Sequence, residues 1–554
     1  MCRSTLTSMS RFVDTVVATA TGERGTRRGM TTGEPNAPEH RTWAQVHARA
    51  TRVAGALVEA GVTPGAAVAV LAGDPAEIAP AVQGAWLAGA STTMLHQPTA
   101  RTDLAEWAED TVRVLSMIDS GLVLLGAPFD ALSPVLVERG IAHHRITDLD
   151  ADPLTTPVEV PESATALLQL TSGSTAHPKA VRITHGNLWA NMEGMREAVR
   201  LDPEVDRMVS GLPLFHDMGM VGFLTLPMLY GVDLVKVTPV DFLGRPVLWP
   251  ELISRHRGTI TAAPNFAYAV VAKRMRGVAD GELDLSSLRI ALNGAEPIDP
   301  EAVRSFTAEG ARFGLPPESV LCAYGMAETT LGVAFAPVFT GMAVDVVDAD
   351  LLEAERRAEP SAEPGARSFA LLGPPLPGLE IQVVDDAGTV LGDRSVGRLQ
   401  VRGEAVTPGY LTVDGPVPTT GPGGWLDTGD QGYLAGEQVV VCGRLKDVII
   451  MGGRNIYPTD VERAATAVDG VRAGNAVAVR LDAGTRRERF AVVVESRLAS
   501  DEDEVKRLTK AITAKVVDAV GVRPFSVVVL PPGSVPKTPS GKLRRASAAA
   551  LVAV

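Results

Sequence analysis

The sequence predicts an α/β fold, in which a large N-terminal domain of mostly parallel sheets precedes a small α+β C-terminal domain. Short apolar runs rich in β-formers alternate with helix-length segments through most of the chain, which is typical of βαβ units. Beyond Pro374 the pattern changes to shorter strands and turns, which indicates a β-rich subdomain. The length of 554 residues exceeds one typical domain, and the hydrophobic content of 45% excludes a largely disordered chain.

The N-terminal domain is predicted to contain a series of strand–helix units. The predicted strands are residues 66–71, 166–170, 233–237, 259–262 and 289–292. The predicted helices are residues 76–88, a segment that starts near His185, and residues 300–309. Strands separated by helices in this way form parallel sheets that are buried on both faces.

The β-rich subdomain and the C-terminal domain are predicted from shorter elements. Strands at 380–384 and 397–401 are followed by a Gly/Pro-rich loop at 415–424. The C-terminal elements are strands at 476–479, 490–494 and 525–530 and a helix at 504–519. We therefore divide the chain into a flexible extension (1–30), an N-terminal domain (31–443) and a C-terminal domain (444–554). Met9 and Met30 are further possible initiators, and a transit peptide is an alternative interpretation of the extension.

The composition excludes several classes of protein. With 52 basic and 65 acidic side chains, the net charge of −13 argues against a protein that coats nucleic acid or anionic membranes. Cys2, Cys322 and Cys442 are too far apart for a zinc ribbon or a disulfide framework, and they favour a reducing, cytoplasmic setting. The first thirty residues lack the apolar core of a secretory signal. The uncharged stretches 78–100 and 218–232 are unsuited to crossing a membrane.

A loop of small polar residues follows the predicted strand 166–170. It reads Thr171-Ser172-Gly173-Ser174-Thr175-Ala176-His177-Pro178-Lys179. Its hydroxyls, backbone N–H groups and lysine ammonium suit a polyphosphate, because they supply hydrogen bonds and positive charge to the oxygens. The loop is not a Walker A motif, since G-x-x-x-x-G-K-[ST] is absent. A Ser/Thr-rich turn between strand and helix is the alternative interpretation.

This loop resembles the phosphate loop of the adenylate-forming superfamily, which contains acyl-CoA synthetases, fatty acyl-AMP ligases, luciferases and peptide synthetase adenylation domains. Further motifs follow in that family's order, which together are far more specific than one alone. They are LFHDMG (214–219), NGAEP (293–297), AYGMAETT (323–330), DTGD (427–430), GRLKD (443–447), GGRNIYP (452–458) and PKTPSGK (536–542). The loop departs from the family at Ala176 and Ala180, where glycine is usual, and the alanines are expected to stiffen it.

The resemblance implies that a carboxylate is joined to the α-phosphate of ATP with release of pyrophosphate, assisted by Mg²⁺. Glu328 is implied to hold the metal ion, and Asp430 and Arg444 to bind the ribose hydroxyls. The implied catalytic residues are Thr171, His216, Glu328 and Lys542, of which Lys542 bridges the carboxylate and the α-phosphate. The other implied nucleotide-binding residues are Ser172, Gly173, Ser174, Thr175, Lys179, Asn293, Gly294, Ala295, Glu296, Tyr324, Gly325, Met326 and Thr329.

The resemblance also implies that the C-terminal domain is mobile, with Lys446 as the hinge. Gly452 and Gly453 are implied to line the approach of the acceptor thiol. His216 stands where amino-acid-activating relatives carry Asp, so the acid is expected to lack an α-amino group. The residues expected to wall an acyl tunnel are His216, Met218, Gly219, Asn265, Phe266 and Tyr268, and ordinary core packing is the alternative for each.

The stretch from Glu328 to Gly373, with its charged segment 345–367, resembles the insertion of fatty acyl-AMP ligases. In that branch the insertion restrains domain rotation, and the acyl group passes to the phosphopantetheine of an acyl carrier protein or of a polyketide or peptide synthase carrier domain. We therefore expect a cytoplasmic fatty acyl-AMP ligase, with no nucleic acid partner and no transmembrane segment. The alternatives are a fatty acyl-CoA synthetase that uses free CoA, and a non-catalytic nucleotide- or acyl-binding relative. A variable surface loop is the alternative interpretation of the insertion.

Overall fold

A computed structural model of the chain describes residues 10–98, 103–171, 178–451, 454–485, 488–537 and 543–552. Its α-helices are α1 (Arg11–Thr21), α2 (Glu23–Arg27), α3 (Trp43–Glu59), α4 (Pro75–Leu87), α5 (Leu104–Met117), α6 (Ser133–Glu138), α7 (His185–Ala198), α8 (Leu226–Tyr230), α9 (Pro239–Gly244), α10 (Leu248–His256), α11 (Asn265–Met275), α12 (Pro300–Ala311), α13 (Ala349–Ala354), α14 (Pro458–Thr466), α15 (Glu502–Val520) and α16 (Arg545–Ala548).

The β-strands alternate with these helices in the first half of the chain and dominate beyond it. They are β1 (Gly29–Thr32), β2 (Glu39–Thr42), β3 (Ala67–Leu71), β4 (Ser91–Met94), β5 (Leu122–Leu125), β6 (His143–Arg145), β7 (Thr165–Thr171), β8 (Lys179–Thr184), β9 (Arg207–Ser210), β10 (Asp233–Lys236), β11 (Ile260–Ala263), β12 (Ile290–Asn293), β13 (Val320–Gly325), β14 (Gly332–Phe335), β15 (Val344–Val347), β16 (Arg367–Ala370), β17 (Leu379–Val384), β18 (Gly397–Gly403), β19 (Gly409–Thr412), β20 (Gly415–Pro418), β21 (Leu426–Ala435), β22 (Gln438–Arg444), β23 (Ile449–Met451), β24 (Arg454–Ile456), β25 (Ala476–Leu481), β26 (Arg489–Glu495) and β27 (Ser526–Leu530).

Two eight-stranded sheets form the body of the N-terminal domain. The first has the strand order β14-β13-β12-β11-β9-β10-β1-β2, and the second has the order β20-β19-β8-β7-β4-β3-β5-β6. The strands at the middle of the first sheet pair in parallel, as do those from β7 to β6 in the second. Helices α3, α4 and α7 join the two sheets in one large apolar core, to which they contribute Val53, Val82 and Leu188.

The rest of the chain forms smaller sheets. The antiparallel sheet β17-β18-β21-β22 is the β-rich subdomain. The C-terminal part has the sheet β25-β26-β27, and its own apolar core contains Ile456, Phe490 and Leu508. The predicted fold class is therefore confirmed, and so are the predicted strands and helices of both parts. The boundary at 443/444 stays a prediction.

Residues 10–30 do not form the flexible extension that we expected. The Ser10 hydroxyl caps α1 by accepting a hydrogen bond from the Val13 N–H at 3.1 Å, and it lies 2.9 Å from Nδ1 of His185. Phe12, Val13 and Val16 are buried in the large core. Apolar residues three or four positions apart form one face of a helix, so the extension was wrongly predicted for this part. Residues 1–9 lie outside the described residues.

Among the strands that were not predicted, β8 and β20 lie within segments that we expected to be loops, and both belong to antiparallel pairs. Strand β8 pairs with β7 from Thr171↔Lys179 to Thr165↔Thr184, so the predicted phosphate loop connects a hairpin and does not lead straight into a helix. Strand β20 lies within the stretch 415–424 that we expected to be a loop, and it pairs with β19 at the end of the second sheet. Its two prolines are tolerated because only one side of an edge strand joins the ladder.

The uncharged segment that starts at Met218 is buried inside the N-terminal domain. It forms a π-helix, Met218–Thr225, which leads directly into α8. Across the described ranges, no helix combines the length and the apolar character that are needed to cross a bilayer.

Candidate active site

A cavity of about 2010 Å³ lies where strand ends of both large sheets face the C-terminal domain. Open α/β sheets bind their ligands at the carboxyl ends of the strands. The polar lining of this cavity includes His96, Thr171, Lys179, His216, Glu296, Tyr324, Glu328, Arg444 and Lys446. Most of the predicted site residues that the structure describes are thus brought together in one place.

The first part of the site, the Asp430 corner, consists of Asp430, Tyr324 and Arg444. Arg444 stands opposite Asp430 in the β21–β22 ladder, and its Nε lies 3.1 Å from Oδ1 of the carboxylate. The Tyr324 hydroxyl, on β13, donates a hydrogen bond to Oδ2 at 2.5 Å. Asp430 is only 3% exposed and does not itself line the cavity, whereas Tyr324 and Arg444 do. One hydrogen bond and one ion pair therefore join the three side chains.

The protonation states at this corner follow from burial and charge. Burial raises the pKa of the Asp430 carboxyl, and Arg444 and Tyr324 oppose that shift. The carboxylate in turn raises the pKa of Arg444, and burial raises the pKa of the Tyr324 hydroxyl. Arginine and tyrosine therefore keep their protons, and the charge of Arg444 together with the hydrogen bond from Tyr324 favours the ionised form of Asp430.

The second part of the site, the Glu328 corner, consists of Glu328, Lys179 and Tyr410. The Tyr410 hydroxyl donates to Oε1 of Glu328 at 2.7 Å, and Lys179 Nζ lies 3.7 Å from the same oxygen. The Lys179 ammonium is also 3.9 Å from the centre of the Tyr410 ring, a cation–π contact. Pairing of β8 with β19 brings Lys179 and Tyr410 together. This corner places a carboxylate and an ammonium side by side at the end of the β7–β8 hairpin.

Thr171 ends β7 and begins the predicted phosphate loop. Its hydroxyl is buried and has no hydrogen-bond partner in the described part of the chain. A buried hydroxyl without a partner costs about 1–3 kcal/mol, so a ligand oxygen bonded to it would relieve that cost. Ser172, Gly173, Ser174 and Thr175 lie outside the described residues, and their roles stay predictions.

The turn after β12 carries four residues that were predicted to bind the nucleotide. Gly294, Ala295 and Glu296 line the cavity. Glu296 Oε1 accepts a hydrogen bond from the Phe266 backbone N–H at 2.6 Å, which fixes the turn against α11. Asn293 does not line the cavity. It is fully buried and donates to Asn265 Oδ1 at 3.1 Å, so it supports the turn from behind.

The turn after β13 presents Glu328. Gly325 and Met326 line the cavity beside it. A Cβ at Gly325 would lie 2.3 Å from the Leu331 carbonyl oxygen, so the close approach requires glycine. Thr329 was predicted to contact the nucleotide, but it is buried and its hydroxyl donates to the Met326 carbonyl at 2.9 Å. Thr329 therefore braces the turn and does not line the cavity.

An apolar arm of the cavity begins at His216, whose Nδ1 lies 2.5 Å from Oδ1 of Asp217. Predicted tunnel residues Met218, Asn265 and Phe266 line the cavity as expected. The apolar lining comes from α7, the π-helix, α8 and the first sheet. It includes Met195, Val199, Met208, Phe223, Leu226, Ile260, Ile290, Leu292, Leu331 and Phe335.

Two predicted tunnel residues do not line this arm, and the prediction is wrong for them. Tyr268 is fully buried on the other side of α11, where its ring packs against Trp249 and Phe306. The helical period places it away from the cavity-lining Phe266. Gly219 packs against Pro213, whose carbonyl oxygen would lie 2.0 Å from an added Cβ.

The C-terminal side of the cavity contains Lys446, the predicted hinge. Its carbonyl accepts a hydrogen bond from Arg480 Nη1 at 3.1 Å, and burial lowers the pKa of its ammonium. Lys537 and Leu543 form an isolated β-bridge, and both line the cavity. The two described residues that flank the segment with Lys542 therefore both lie at the cavity wall. Lys542 itself, with Gly452 and Gly453, lies outside the described residues.

Two residues of the site were missed by the sequence analysis. Tyr410 is visible only through its hydrogen bond to Glu328, which is distant along the chain. His96 lines the cavity just beyond β4. Burial lowers the pKa of His96 to about 4, and the charges of Arg544 and His216 act in the same direction. His96 could have been found from its position after a predicted buried segment, because site residues of α/β sheets follow the carboxyl ends of buried strands.

The two-domain α/β fold, with its cavity at the strand ends, is that of an adenylate-forming enzyme. A family model described as AMP-binding enzyme matches residues 20–411, and one described as AMP-binding enzyme C-terminal domain matches residues 453–547. The chain therefore belongs to the AMP-binding enzyme family, and the resemblance found in its motifs is confirmed.

Relatives extend this similarity over nearly the whole chain. A protein named Putative ligase Rv1013, from Mycobacterium tuberculosis, is 55% identical over 546 residues, which cover 98% of this chain and 100% of that protein. Long-chain-fatty-acid–AMP ligase FadD26 of Mycobacterium marinum is 32% identical, over 93% of this chain and 92% of its own. A structure from studies of fatty acyl-adenylate ligases of E. coli and L. pneumophila has a TM-score of 0.88 at 31% identity, over 97% of this chain and 96% of that chain.

Proposed function

We propose that the chain activates a fatty acid, or a similar lipophilic acid, to an acyl-adenylate and then transfers the acyl group to a phosphopantetheine thiol on a carrier protein. One observation carries this proposal: a single cavity joins charged corners suited to a nucleotide with an apolar arm suited to an acyl chain. Membership of the AMP-binding enzyme family and the relatives named for fatty acyl-AMP ligation support it.

In the first step a carboxylate oxygen attacks the α-phosphorus of ATP, the bond to the β-phosphate oxygen breaks, and pyrophosphate leaves. Asp430 accepts hydrogen bonds from the ribose hydroxyls, and Arg444 donates to the same sugar. Thr171 and Lys179 bind the phosphate chain together with the loop between them. Lys542 stabilises the charge that develops between the carboxylate and the α-phosphate.

In the second step the thiol sulfur attacks the acyl carbonyl carbon, the bond to the phosphate oxygen breaks, and AMP leaves while a thioester forms. Residues 31–443 supply the activation site in this proposal, and residues 444–554 act as the lid that carries Lys542. Lys446 is the hinge between the two arrangements, and Gly452 and Gly453 give the thiol room to approach. We place this reaction in the cytoplasm, where ATP is available.

Glu328 suits the role of a magnesium ligand. Mg²⁺ in nucleotide sites is usually held by one or two carboxylates, with phosphate oxygens and water completing its shell. Glu328 offers its carboxylate at the cavity wall, and Tyr410 fixes one of its oxygens. In the described part of the chain, no group of three or more His, Cys, Asp or Glu side chains is arranged to hold a metal by itself. When bound, Mg²⁺ would neutralise charge on the phosphate oxygens.

The apolar arm favours a lipophilic acid. Methionine, phenylalanine and branched aliphatic side chains form its wall, and such surfaces gain by burying hydrocarbon. Gly222 leaves room in the apolar arm, because a side chain at this position would place its Cβ only 3.1 Å from the Leu331 side chain. His216 and Met218 lie at the mouth of this arm in the proposal, next to the reacting carboxylate.

Ion pairs between the insertion and the C-terminal domain favour a carrier-bound acceptor over free CoA. Glu353 of α13 is 3% exposed and pairs both with Arg367 of β16 and with Arg454 of β24, whose Nε lies 2.6 Å from Oε2. Arg367 Nε also lies 3.0 Å from Asp460 Oδ2. Leaving one charge of a buried pair without its partner costs about 3–5 kcal/mol. Such a network resists a domain rotation that would open the site to free CoA.

Exchange of labelled pyrophosphate into ATP tests the first step. We expect wild-type exchange that depends on a fatty acid, and a loss of about 10²–10³-fold or more in Lys542→Ala. Lys510→Ala is the matched control, because Lys510 is exposed on α15. Normal exchange by Lys542→Ala would remove that residue from the mechanism. The absence of exchange with every acid in the panel would overturn the proposed function.

Product analysis with ATP, a fatty acid and either CoA or a phosphopantetheinylated carrier protein tests the acceptor. We expect acyl-AMP to accumulate in the presence of CoA and thioester to form on the carrier. Efficient acyl-CoA formation would instead support the second candidate, a fatty acyl-CoA synthetase. Arg454→Met is expected to raise acyl-CoA formation about 2–10-fold at unchanged exchange, since it loosens the ion-pair network. Arg489→Met, which breaks a pair within the C-terminal domain, serves as its control.

A further inference from the structure

His96 emerges at the same edge of the second sheet as Thr171. Strands β4 and β7 are parallel neighbours, and Thr92 pairs with Leu167. His96 and Thr171 each stand four residues beyond that pair, in the same direction along their strands. Parallel strands present such positions at one edge of the sheet. Both residues line the cavity.

The backbone around His96 is fixed on both sides. The His96 carbonyl accepts a hydrogen bond from Trp107 Nε1 at 2.9 Å. The Leu95 N–H donates to a carbonyl of β3 at 2.9 Å, and the Gln97 side chain donates to the Ala72 carbonyl at 2.7 Å. The backbone position of His96 is therefore set by the sheet and α5. Such rigid support is what a ligand-binding side chain requires.

The imidazole itself has no hydrogen bond to any described residue. Its ring contacts the edge of the Phe215 ring, with the centroids 6.2 Å apart. Burial lowers the pKa of His96 to about 4, so the ring is uncharged at neutral pH and presents one N–H donor. The neighbouring Thr171 hydroxyl is buried and has no hydrogen-bond partner among the described residues. This indicates a ligand oxygen at this edge of the cavity, to which the imidazole N–H of the cavity-lining His96 can also donate.

A basic side chain in the same cavity, Arg544 of the C-terminal domain, indicates that this ligand is an anion. After burial, the charge of Arg544 is the largest influence that lowers the pKa of His96, and Asp110 opposes the shift. Arg544 lines the cavity and is exposed, so its guanidinium is available to a phosphate oxygen. The uncharged imidazole adds a directional donor next to this charge.

We propose that His96 is a further substrate-binding residue, whose imidazole N–H donates a hydrogen bond to an oxygen of the β- or γ-phosphate of ATP beside Thr171. The inference rests on the proposed function, because it assumes that the β7–β8 hairpin holds the phosphate chain of ATP. It adds a residue that follows β4, outside the motifs that carry the family resemblance.

Calorimetric titration with α,β-methylene-ATP and with AMP, both in the presence of Mg²⁺, tests this role. His96→Ala is expected to bind the ATP analogue about tenfold more weakly, because one hydrogen bond to a charged oxygen is lost, and to bind AMP within about twofold of wild type. His96→Gln keeps an N–H donor and is expected to recover most of the affinity. His144→Ala is the matched control, since that histidine is exposed on β6 of the same sheet.

Wild-type affinity of His96→Ala for the analogue would overturn the inference. A similar loss for the analogue and for AMP would also overturn it, because that pattern marks a structural role. The same holds for a change confined to the KM of the fatty acid, which would place His96 at the carboxylate. Pyrophosphate exchange by the wild-type enzyme separates the two proposals: if exchange occurs and analogue binding is insensitive to His96, only this inference fails.

Discussion

The Asp430 corner and the phosphate edge, which we define as Thr171 and His96, differ in how far their hydrogen bonds are satisfied before a ligand binds. Asp430 already accepts from Tyr324 and faces Arg444. At the phosphate edge, the buried Thr171 hydroxyl has no hydrogen-bond partner among the described residues, and His96 lines the same cavity. A satisfied corner is rigid and orients its ligand with little reorganisation, whereas an unsatisfied edge gains hydrogen bonds only when the ligand completes it.

The largest expected effect comes from removing the carboxylate of the Asp430 corner. Asp430→Ala removes the proposed acceptor for the ribose hydroxyls and leaves Tyr324 and Arg444 without their shared partner. We expect kcat/KM for ATP in pyrophosphate exchange to fall about 10²–10³-fold, which corresponds to two charge-assisted hydrogen bonds. Asp427→Ala is the control, because Asp427 lies in the same motif but pairs with Arg398 at the surface. A loss of less than tenfold in Asp430→Ala would contradict the assigned role.

The sequence was sufficient to predict the residues of the Asp430 corner, because they lie in recognisable motifs. Asp430, Tyr324 and Arg444 were all named from such segments, and the structure brings them together. The phosphate edge was only half predicted. Thr171 belongs to a motif, but His96 follows a buried strand in a segment with no motif, so only the pairing of β4 with β7 connects the two.

Other failures of prediction have similar physical causes. Strand β8 was missed because its hydrogen bonds go to β7 and to β19, and the second partner is more than 200 residues away along the chain. Tyr268 was placed in the tunnel because it belongs to the same run as Phe266, yet two positions along a helix turn the side chain to another face. Helix α1 could have been predicted from the helical spacing of Phe12 and Val16. It was overlooked because polar residues surround these apolar ones in the sequence.

A smaller effect is expected from removing one hydrogen bond of the Asp430 corner. Tyr324→Phe removes one hydrogen bond from Asp430 and keeps the aromatic ring that lines the cavity. We expect a loss of about tenfold in kcat/KM for ATP. Burial raises the pKa of Asp430 and the Tyr324 hydroxyl opposes that rise, so its removal raises this pKa further. Because ribose binding needs the carboxylate, the acid limb of the pH profile should move to higher pH. An acid limb that does not move would contradict this account of the corner.

The Glu328 corner is intermediate, since its carboxylate has one firm partner and one loose one. Tyr410→Phe leaves Glu328 with only the Lys179 ammonium at 3.7 Å. We expect kcat/KM to fall about 3–5-fold, and the Mg²⁺ concentration for half-maximal exchange to rise, because the carboxylate is held less firmly. Titration of exchange activity with Mg²⁺ at saturating ATP measures this. An unchanged Mg²⁺ dependence would separate Tyr410 from the metal site.

The most conservative of these substitutions, at Thr171, separates the phosphate edge from the Asp430 corner most sharply. It is expected to act in opposite directions on the stability of the enzyme and on its affinity for the nucleotide. Thr171→Val replaces the buried, unpaired hydroxyl by a methyl group of similar size. We expect the ligand-free enzyme to become more stable by about 0.5–1 kcal/mol, measured by denaturant unfolding, while affinity for α,β-methylene-ATP falls about tenfold. Asp430→Asn, in contrast, is expected to lose both stability and affinity, since its charge is already paired by Arg444. If Thr171→Val destabilised the ligand-free enzyme instead, its hydroxyl would already have a partner there, and the phosphate edge would be as complete without ligand as the Asp430 corner.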